Sequence, residues 1–341
     1  MIGSAAIVPG LARAQTANPP ANPTAAAAVT TAAAPIPAPA RPPLTLVSRH
    51  LQWAGVEEGI EVAREAGFPA IAWTVRPGAH IDPANVEREL PRVVELTRKA
   101  GLSVPMIITS IGDVSAPHAE AILSTMKGLG IARYRAVPSR YDLAKPLPAQ
   151  LDAFKAKIAP LAELNQRLGT MAMFHTHSRG RQIGGSGWDM WLAVRDFDPN
   201  HIGINFDVGH VTAKGGDGLL ESIRMARGHV QAISVKDLVW RRKANPAAEE
   251  WAWETYFVPP GEGMVNFRDI FKFLAESAFQ GPLETYFEYE VSTPGRAQPV
   301  DMLGTDFGKW KLEMPRAQFV GLLQRDVQFY QGLMRATGIG A

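Results

Sequence analysis

The chain has 341 residues, with 35 Lys and Arg against 33 Asp and Glu and a formal net charge of +2. This length allows one large core, and the near balance of charge excludes the strong positive field on which nucleic-acid binding relies. The absence of cysteine excludes disulfides, thiolate metal sites and cysteine nucleophiles. We therefore expect a soluble globular protein with no nucleic-acid partner.

The first 43 residues differ in composition from the rest. Met1 to Gln15 is a short apolar segment ending in Ala12-Arg13-Ala14, the small-x-small form of a signal-peptidase site. No basic region precedes it, so we expect its basic part, in the twin-arginine form, upstream of Met1. Residues 16–43 are nearly all Ala, Pro, Thr and Asn and indicate a flexible linker. This predicts a periplasmic protein without a transmembrane segment; the alternative is a disordered Ala-rich tail.

From Leu44 onward, short apolar strands alternate with amphipathic helices. Predicted strands cover residues 44–48, 70–75, 104–109, 131–137, 170–174, 202–206, 231–235 and 282–287, and the helices begin at Val56, Pro83, Pro117, Pro148, Trp188, Leu219, Phe267 and Pro315. Eight such units predict a single-domain α/β fold, the (β/α)8 TIM barrel, over residues 44–338. A doubly wound open sheet is the alternative, but Ser48 to Gln52 lacks the Gly-rich phosphate turn expected after its first strand.

The sixth predicted strand ends in a carboxylate and an imidazole. Asp207 follows Phe206, His210 lies three residues later, and Gly209 between them predicts a sharp turn before a helix from about Gly218. In a TIM barrel the catalytic residues lie at the C-terminal ends of the strands. Oxygen and nitrogen donors placed there suit a divalent metal ion. Further polar candidates follow other strands: His50, Arg76, His80, Arg135, His175, His177, Lys236, Asp237 and Glu288.

Several short motifs make the chain resemble the sugar phosphate isomerase/epimerase family, whose fold is the xylose-isomerase-like TIM barrel. The resemblance covers roughly Leu44 to Arg335. Its motifs are Ser48-Arg-His-Leu-Gln-Trp53, Val75-Arg-Pro-Gly-Ala-His80, Phe206-Asp-Val-Gly-His210, Val235-Lys-Asp237, Pro260-Gly-Glu-Gly-Met-Val265 and Phe287-Glu-Tyr289.

The resemblance implies one divalent ion, held by Glu, Asp, His and Glu from strands five to eight, and proton transfer through an ene-diolate. Asp207 and Glu288 match two of these ligands. His175 stands where the family has the first glutamate, and Ser234 where it has the histidine. We expect Mn, Zn, Co or Mg to be held by the remaining donors, His175, Asp207, His210 and Glu288.

The function implied is isomerisation or epimerisation of an unphosphorylated keto-sugar or glycoside. Glu288, His175 and Lys236 are the expected catalytic residues. Two long loops, residues 238–260 with an aromatic hairpin and residues 292–314, are expected to close the site. Expected substrate contacts are His50, Trp53, Arg76, His80, Arg135, His177, Asp237 and Trp240.

Two other functions remain open. A lyase or dehydratase acting on a keto-sugar, keto-inositol or 3-keto-glycoside would use the same groups. A non-catalytic carbohydrate-binding barrel would have lost its metal site, as Ser234 suggests. The sequence also leaves a homo-oligomer open.

Overall fold

The structure is a computed structural model that describes residues 41–302 and 311–339. The predicted export signal (1–15) and most of the predicted linker (16–43) lie outside the described residues, as does the middle of the loop 292–314. One compact unit, Ala38–Ala341, contains the barrel. Among the described residues, no helix combines the length and apolar character needed to cross a bilayer.

The barrel consists of eight parallel strands: β1 (Leu44–Val47), β2 (Ala70–Thr74), β3 (Met106–Ile108), β4 (Arg133–Ala136), β5 (Met171–His175), β6 (Ile202–Asp207), β7 (Val230–Val235) and β10 (Leu283–Thr285). They close in the order β1-β10-β7-β6-β5-β4-β3-β2. Most of their residues are buried, which explains the near-continuous apolar runs in the sequence.

Helices cover the outside of the barrel, each burying its apolar stripe against the strands. In the eighth helix, for example, Phe267, Ile270 and Leu274 are buried, and the Asn266 side chain caps the first turn by accepting the Asp269 N–H. The helices are α1 (Val56–Glu65), α2 (Val86–Lys99), α3 (Ala119–Gly128), α4 (Leu147–Leu168), α5 (Trp188–Val194), α6 (Val208–Gly215), α7 (Leu219–Ala226), α8 (Phe267–Glu276) and α9 (Arg316–Thr337).

Closure of the barrel joins its first and last strands. Leu44 and Leu46 of β1 lie opposite Leu283 and Thr285 of β10, while the other edge of β1 pairs with β2. A doubly wound sheet would leave these edges open. The predicted TIM barrel is therefore confirmed, with strand and helix bounds that differ by a few residues from those expected.

The segment after β6 contains one helix more than predicted. Helix α6 begins at Val208, directly after the strand, and the helix predicted from about Gly218 follows it as α7, Leu219–Ala226. Asp207 is the N-cap of α6, and its Oδ1 accepts the backbone N–H of His210 at 2.8 Å. Gly209 is therefore a helical residue and not a turn. A Cβ on it would lie 2.7 Å from Lys236 Cγ, so glycine is needed there for close approach.

Outside the barrel, the predicted aromatic hairpin is present. Strands β8 (Asp237–Arg242) and β9 (Trp253–Val258) pair antiparallel. A second, shorter antiparallel pair joins β11 (Glu290–Val291) and β12 (Val300–Asp301) in the last βα loop. Both strand pairs lie in loops that follow the C-terminal ends of barrel strands. These ends form the face of the barrel on which active sites are found.

Candidate active site

A cavity of about 400 Å³ opens at the C-terminal ends of the barrel strands. That volume fits a small-molecule ligand. The strands and their following loops supply its wall: Val47, Arg49, Thr74, Arg76, Ile108, Arg135, Ala136, Val137, Pro138, His175, His177, Arg179, Gln182, His210, Tyr286 and Glu288.

Three buried side chains converge at one side of this cavity. His175 ends β5, Asp207 ends β6, and His210 lies in the first turn of α6. Each offers one donor atom, and the three atoms all lie within 4.8 Å of one another. His175 Nε2 is 3.6 Å from Asp207 Oδ2. The early start of α6 produces this cluster, because it turns His210 back toward the strand end.

A polar layer beneath the cluster orients His175. Its Nδ1 lies 3.4 Å from Asn205 Oδ1, to which it donates, so Nε2 keeps its lone pair. Asn205 in turn donates to Glu284. The Ser234 hydroxyl lies 2.6 Å from Asn205 Oδ1 and 2.7 Å from Glu284 Oε2. Ser234 therefore supports His175 through Asn205, as outer groups commonly do for a metal ligand.

Lys236 carries the positive charge at the centre of the site. Its Nζ lies 2.8 Å from His210 Nε2, 3.1 Å from Asp207 Oδ2 and 3.1 Å from Glu288 Oε1. Because the ammonium donates to Nε2, the other nitrogen of His210 carries the hydrogen and faces Ser178 Oγ at 2.9 Å. Both buried carboxylates thus share the single positive charge of one lysine.

The two carboxylates have pKa values shifted in opposite directions. Burial raises the pKa of Asp207 to about 6, although Lys236 opposes the shift. Burial also opposes ionisation of Glu288, but the attraction of Lys236 outweighs it and holds that pKa below its ordinary value. Glu288 is accordingly ionised near neutral pH and can accept a proton.

The histidines of the site are neutral near pH 7. Burial and the nearby Arg135 hold the pKa of His175 well below its ordinary value, and burial with Lys236 does the same to His210. For His177 the same two causes, burial and then Lys236, lower the pKa to about 4. Neutral imidazole is the form that binds metal ions.

The donor set fits a divalent ion. Two neutral imidazole nitrogens and a carboxylate oxygen suit Mn, Co or Zn better than Mg, which prefers oxygen ligands. Among the described residues, Asp207 Oδ2 is buried without a hydrogen bond of good geometry, although Lys236 Nζ lies 3.1 Å away. Glu288, the expected fourth ligand, is outside this cluster and bonds Lys236 instead.

Aromatic side chains surround the lysine. Its Nζ lies 5.0 Å from the Phe257 ring centre and 5.1 Å from that of Tyr286. Phe257 reaches the site from the β8–β9 hairpin and contacts the His210 ring at a centroid distance of 5.8 Å. Tyr286 follows β10, and Arg135 donates a hydrogen bond to its hydroxyl. The rings shield the lysine and its carboxylates from water on these sides, which strengthens their attraction.

Three predicted substrate contacts are absent from the cavity wall. His50 is fully buried; its Nδ1 donates to Met302 O at 3.2 Å and its Nε2 accepts the Phe287 N–H. His80 Nε2 donates to backbone carbonyls, and Trp53 Nε1 donates to His50 O at 3.0 Å. The polar atoms of all three side chains are therefore bonded within the protein and hold the loop after β1.

The hairpin carries two more predicted contacts that do not line the cavity. Asp237 accepts the backbone N–H groups of Leu238, Gly261, Gly263 and Val265. This carboxylate therefore holds the loop after β9 to the start of β8. Trp240 is 38% exposed on β8.

The remaining predicted residues do meet at the cavity, and several unpredicted ones join them. Arg76, Arg135, His175, His177, His210 and Glu288 line its wall, with Asp207 and Lys236 behind. Glu284, Asn205, Tyr286 and Arg179 were not predicted. Two of them, Asn205 and Glu284, could have been found from the sequence, because they are polar residues within otherwise apolar strands. Buried polar residues rarely occur without hydrogen-bond partners.

Comparison with known proteins now decides the family. The model of the xylose isomerase-like TIM barrel family matches residues 60–303. The chain belongs to this family. The prediction made from the sequence motifs is confirmed at that level.

A curated relative covers only part of the chain. The rhizopine catabolism protein MocC of Rhizobium meliloti is 28% identical over 153 residues, which are 44% of this chain and 45% of that protein. The match therefore spans less than half the length of this relative.

Solved structures share the fold over most of the chain. L-ribulose 3-epimerase has a TM-score of 0.61 at 15% identity, covering 87% of this chain and 95% of its own. The probable 3-DHS dehydratase of Bacillus anthracis has a TM-score of 0.59 at 16% identity, covering 85% and 98%. At such identities the likeness establishes the barrel fold.

Proposed function

We propose that the chain is a metal-dependent isomerase or epimerase acting on a keto-sugar. The observation that carries this proposal is the His175–Asp207–His210 cluster, which lies beside an ionised Glu288 and the Lys236 ammonium. A divalent ion held by the cluster would polarise the substrate carbonyl as a Lewis acid. Family membership and the fold shared with a sugar epimerase support the choice of reaction.

Proton transfer is assigned to Glu288. Its carboxylate takes the proton from the carbon beside the carbonyl, and the C–H electron pair moves toward the carbonyl oxygen. The Lys236 ammonium, 3.1 Å from Glu288 Oε1, stabilises the negative charge that develops there. Isomerisation returns the proton to the same face and needs no second base. Epimerisation needs a proton donor on the other face. His175, on β5 three strands round the barrel from β10, could fill that role only if it did not bind the ion, because its Nδ1 already donates to Asn205.

Deuterium exchange tests this assignment. With keto-sugars in D2O, we expect NMR to show incorporation of deuterium at the carbon beside the carbonyl. Glu288→Gln should slow this incorporation by roughly 100-fold or more, because the base is lost. Glu290→Gln is the matched control, since Glu290 is exposed and bonds Tyr256. Equal rates in the two variants would remove Glu288 from the mechanism.

Metal content tests the cluster separately. We expect about one equivalent of Mn, Co or Zn per chain by elemental analysis, and loss of this metal in Asp207→Ala, which removes the only carboxylate of the donor set. Lys236 competes with a dication for Asp207 and His210. Wild-type protein that holds no metal after loading would mean that Lys236 occupies Asp207 and His210 in place of a metal ion, and would reject the metal-dependent mechanism.

A lyase is the second candidate. Among the cavity-lining residues that the structure describes, Glu288 is the one carboxylate, and a single base beside an acid also suits loss of water or an aglycone. A product lighter than the substrate by mass spectrometry would identify this reaction. A barrel that only binds carbohydrate would show sugar binding insensitive to chelators and no exchange.

We further propose that the protein is exported to the periplasm. The apolar residues 1–15 and the Ala/Pro-rich residues 16–43 support this location. Cell fractionation of the full-length gene product tests it, and recovery with cytoplasmic markers would contradict it.

A further inference from the structure

The cavity wall carries an excess of positive charge. Among the described residues that line it, the charged ones are one carboxylate, Glu288, and four arginines: Arg49, Arg76, Arg135 and Arg179. Glu288 and Asp207 share the one charge of Lys236, so together the three groups leave one negative charge, and the buried Glu284 adds a second. Arg76, Arg135 and Arg179 carry three positive charges against these two.

Three of these arginines have no acidic partner among the described residues. Arg76 donates from Nε and Nη2 to the backbone oxygen of Thr109, at 3.0 and 2.6 Å. Arg135 donates to the Tyr286 hydroxyl, and its Nε is buried without a hydrogen-bond partner in the described part of the chain. The guanidinium of Arg179 stacks over Phe257 at 5.2 Å. Each therefore has N–H groups free to bind a ligand.

The arginines lie close enough to repel one another. Burial, followed by the charges of Arg135 and Arg49, lowers the pKa of Arg76 to about 10, although Tyr286 and Glu284 oppose the shift. Holding like charges together in a partly buried cavity opposes folding unless an anion shares the site. Substrate binding supplies such an anion and relieves the repulsion.

The charges are also divided between two halves of the barrel mouth. One arginine, Arg135, lies on β4, and two others, Arg49 and Arg76, lie two residues after the ends of β1 and β2. All three therefore belong to the run of neighbouring strands β1-β2-β3-β4. Asp207, Lys236 and Glu288 follow β6, β7 and β10, the other run of neighbours. Arg179 follows β5, between these two runs, and stacks on the same Phe257 ring as Lys236. A ligand lying across the cavity would place one end against Arg76 and Arg135, with Arg179 beside it, and the other end against Lys236.

We infer that the substrate is an acidic sugar, whose carboxylate or phosphoryl group binds Arg76, Arg135 and Arg179 while its carbonyl end faces Lys236 and Glu288. The placement of the carbonyl end beside Lys236 and Glu288 rests on the proposed function. Planar guanidinium groups recognise carboxylate and phosphate oxygens with paired hydrogen bonds. Neutral sugars would leave the arginine charge uncompensated.

Equilibrium binding to the full-length protein tests the inference without requiring turnover. The probes are D-glucuronate, D-glucose 6-phosphate and D-glucose, measured by calorimetry at low salt and again at high salt. We expect one or both anionic probes to bind at least roughly tenfold more tightly than glucose, and salt to reduce this preference. The better anion identifies carboxylate or phosphate as the natural group.

Variants locate the site. Arg135→Gln should abolish most of the preference for the anion, and Arg179→Gln, at an exposed position in a loop, should reduce it even if the buried variant folds poorly. Arg92→Gln is the matched control, because Arg92 is an exposed arginine paired with Glu57 outside the cavity. It should keep the full preference.

Two results would overturn the inference: anionic probes that bind no better than glucose, or a preference that both cavity variants retain. Failure of the proposed function looks different, because it would abolish deuterium exchange on every sugar while leaving anion binding intact. Exchange that is equally fast on neutral keto-sugars and on their acids would keep the function and reject the acidic substrate.

Discussion

Gly209 is the residue that allows Lys236 to enter the site. Its position in the first turn of α6 brings the helix backbone against the lysine stem, where a Cβ would lie 2.7 Å from Lys236 Cγ and 3.0 Å from Lys236 O. The ammonium can then reach Asp207 and His210. A glycine that the sequence suggested was a turn is therefore a packing requirement.

Replacing Gly209 with Ala should destabilise the fold and displace Lys236. We expect a loss of about 1–3 kcal/mol in urea unfolding from overpacking, together with at least tenfold slower deuterium exchange. Gly215→Ala is the control in the same helix, because a Cβ there meets nothing within 4 Å. It should leave stability unchanged or raise it by up to about 1 kcal/mol. Similar effects in the two variants would contradict the packing argument.

His50 makes stability depend on pH. Burial lowers its pKa from 6.5 to about 4, despite the opposing hydrogen bond to Met302 O. A group whose folded pKa is lowered contributes stability above its unfolded pKa and loses it as pH falls through the folded value. The window is therefore from pH 6.5 down to 4, and the contribution is on the order of 3 kcal/mol.

Urea unfolding at pH 7, 5.5 and 4 measures this contribution. Wild-type protein should lose stability on acidification more steeply than His50→Gln, whose amide can replace both hydrogen bonds without titrating. The other buried histidines act equally in both proteins and cancel in the difference. Parallel pH profiles would show that His50 does not titrate in this window.

At the scale of elements, the β8–β9 hairpin depends on a single carboxylate. Asp237 gathers backbone N–H groups from both ends of the hairpin segment, including Gly261 and Gly263. A Cβ at Gly263 would lie 2.2 Å from Asp237 Oδ1, so glycine is required beside it. This attachment sets where Phe257 lies over Lys236.

Asp237→Asn should release the hairpin. An amide has one acceptor oxygen in place of two, so N–H groups that Oδ1 or Oδ2 now binds would lose their partner. We expect a loss of about 2–4 kcal/mol in unfolding free energy and faster hydrogen exchange at residues 261–265. Glu276→Gln breaks only an exposed ion pair with Arg224 and should change stability by less than about 1 kcal/mol. Unchanged exchange at 261–265 would argue against the anchor.

For the molecule as a whole, α9 completes the layer of helices around the closed barrel. It buries Phe319, Val320, Leu323 and Tyr330, and Arg316 pairs with Glu65 of α1. Burial of each large apolar side chain contributes roughly 1.5–3 kcal/mol. The sum of these contributions is comparable to the whole free energy of unfolding of a typical domain, about 5–15 kcal/mol.

Removing the C-terminal helix and removing the N-terminal residues should therefore have very different effects on the stability of the fold. A chain that stops at Pro315 should fail to unfold cooperatively and bind a hydrophobic dye, because the core loses its cover. A chain that starts at Arg41 should keep a melting temperature within about 2 °C of the full-length protein, since the barrel begins at Leu44. A large loss of stability in the second chain would show that residues 1–40 contribute to the folded domain.

The sequence alone predicted the barrel because alternating strands and helices are local patterns, and it predicted the β8–β9 hairpin from the aromatic residues of the segment 238–260. It also placed His175, Asp207 and His210 at strand ends, where the barrel rule brings side chains together. Those predictions needed only periodicity and the position of polar residues relative to strands.

Tertiary structure alone decided how the charges meet. Lys236 and Glu288 are 52 residues apart, and Ser234 and Glu284 are 50 apart, so no local pattern shows that one ammonium contacts two carboxylates or that Ser234 supports His175. Similarly, Arg49, Arg76 and Arg135 come to share one cavity with Lys236 only once the barrel closes. Periodicity determines an element, but contacts between distant strands depend on register and packing across the whole barrel.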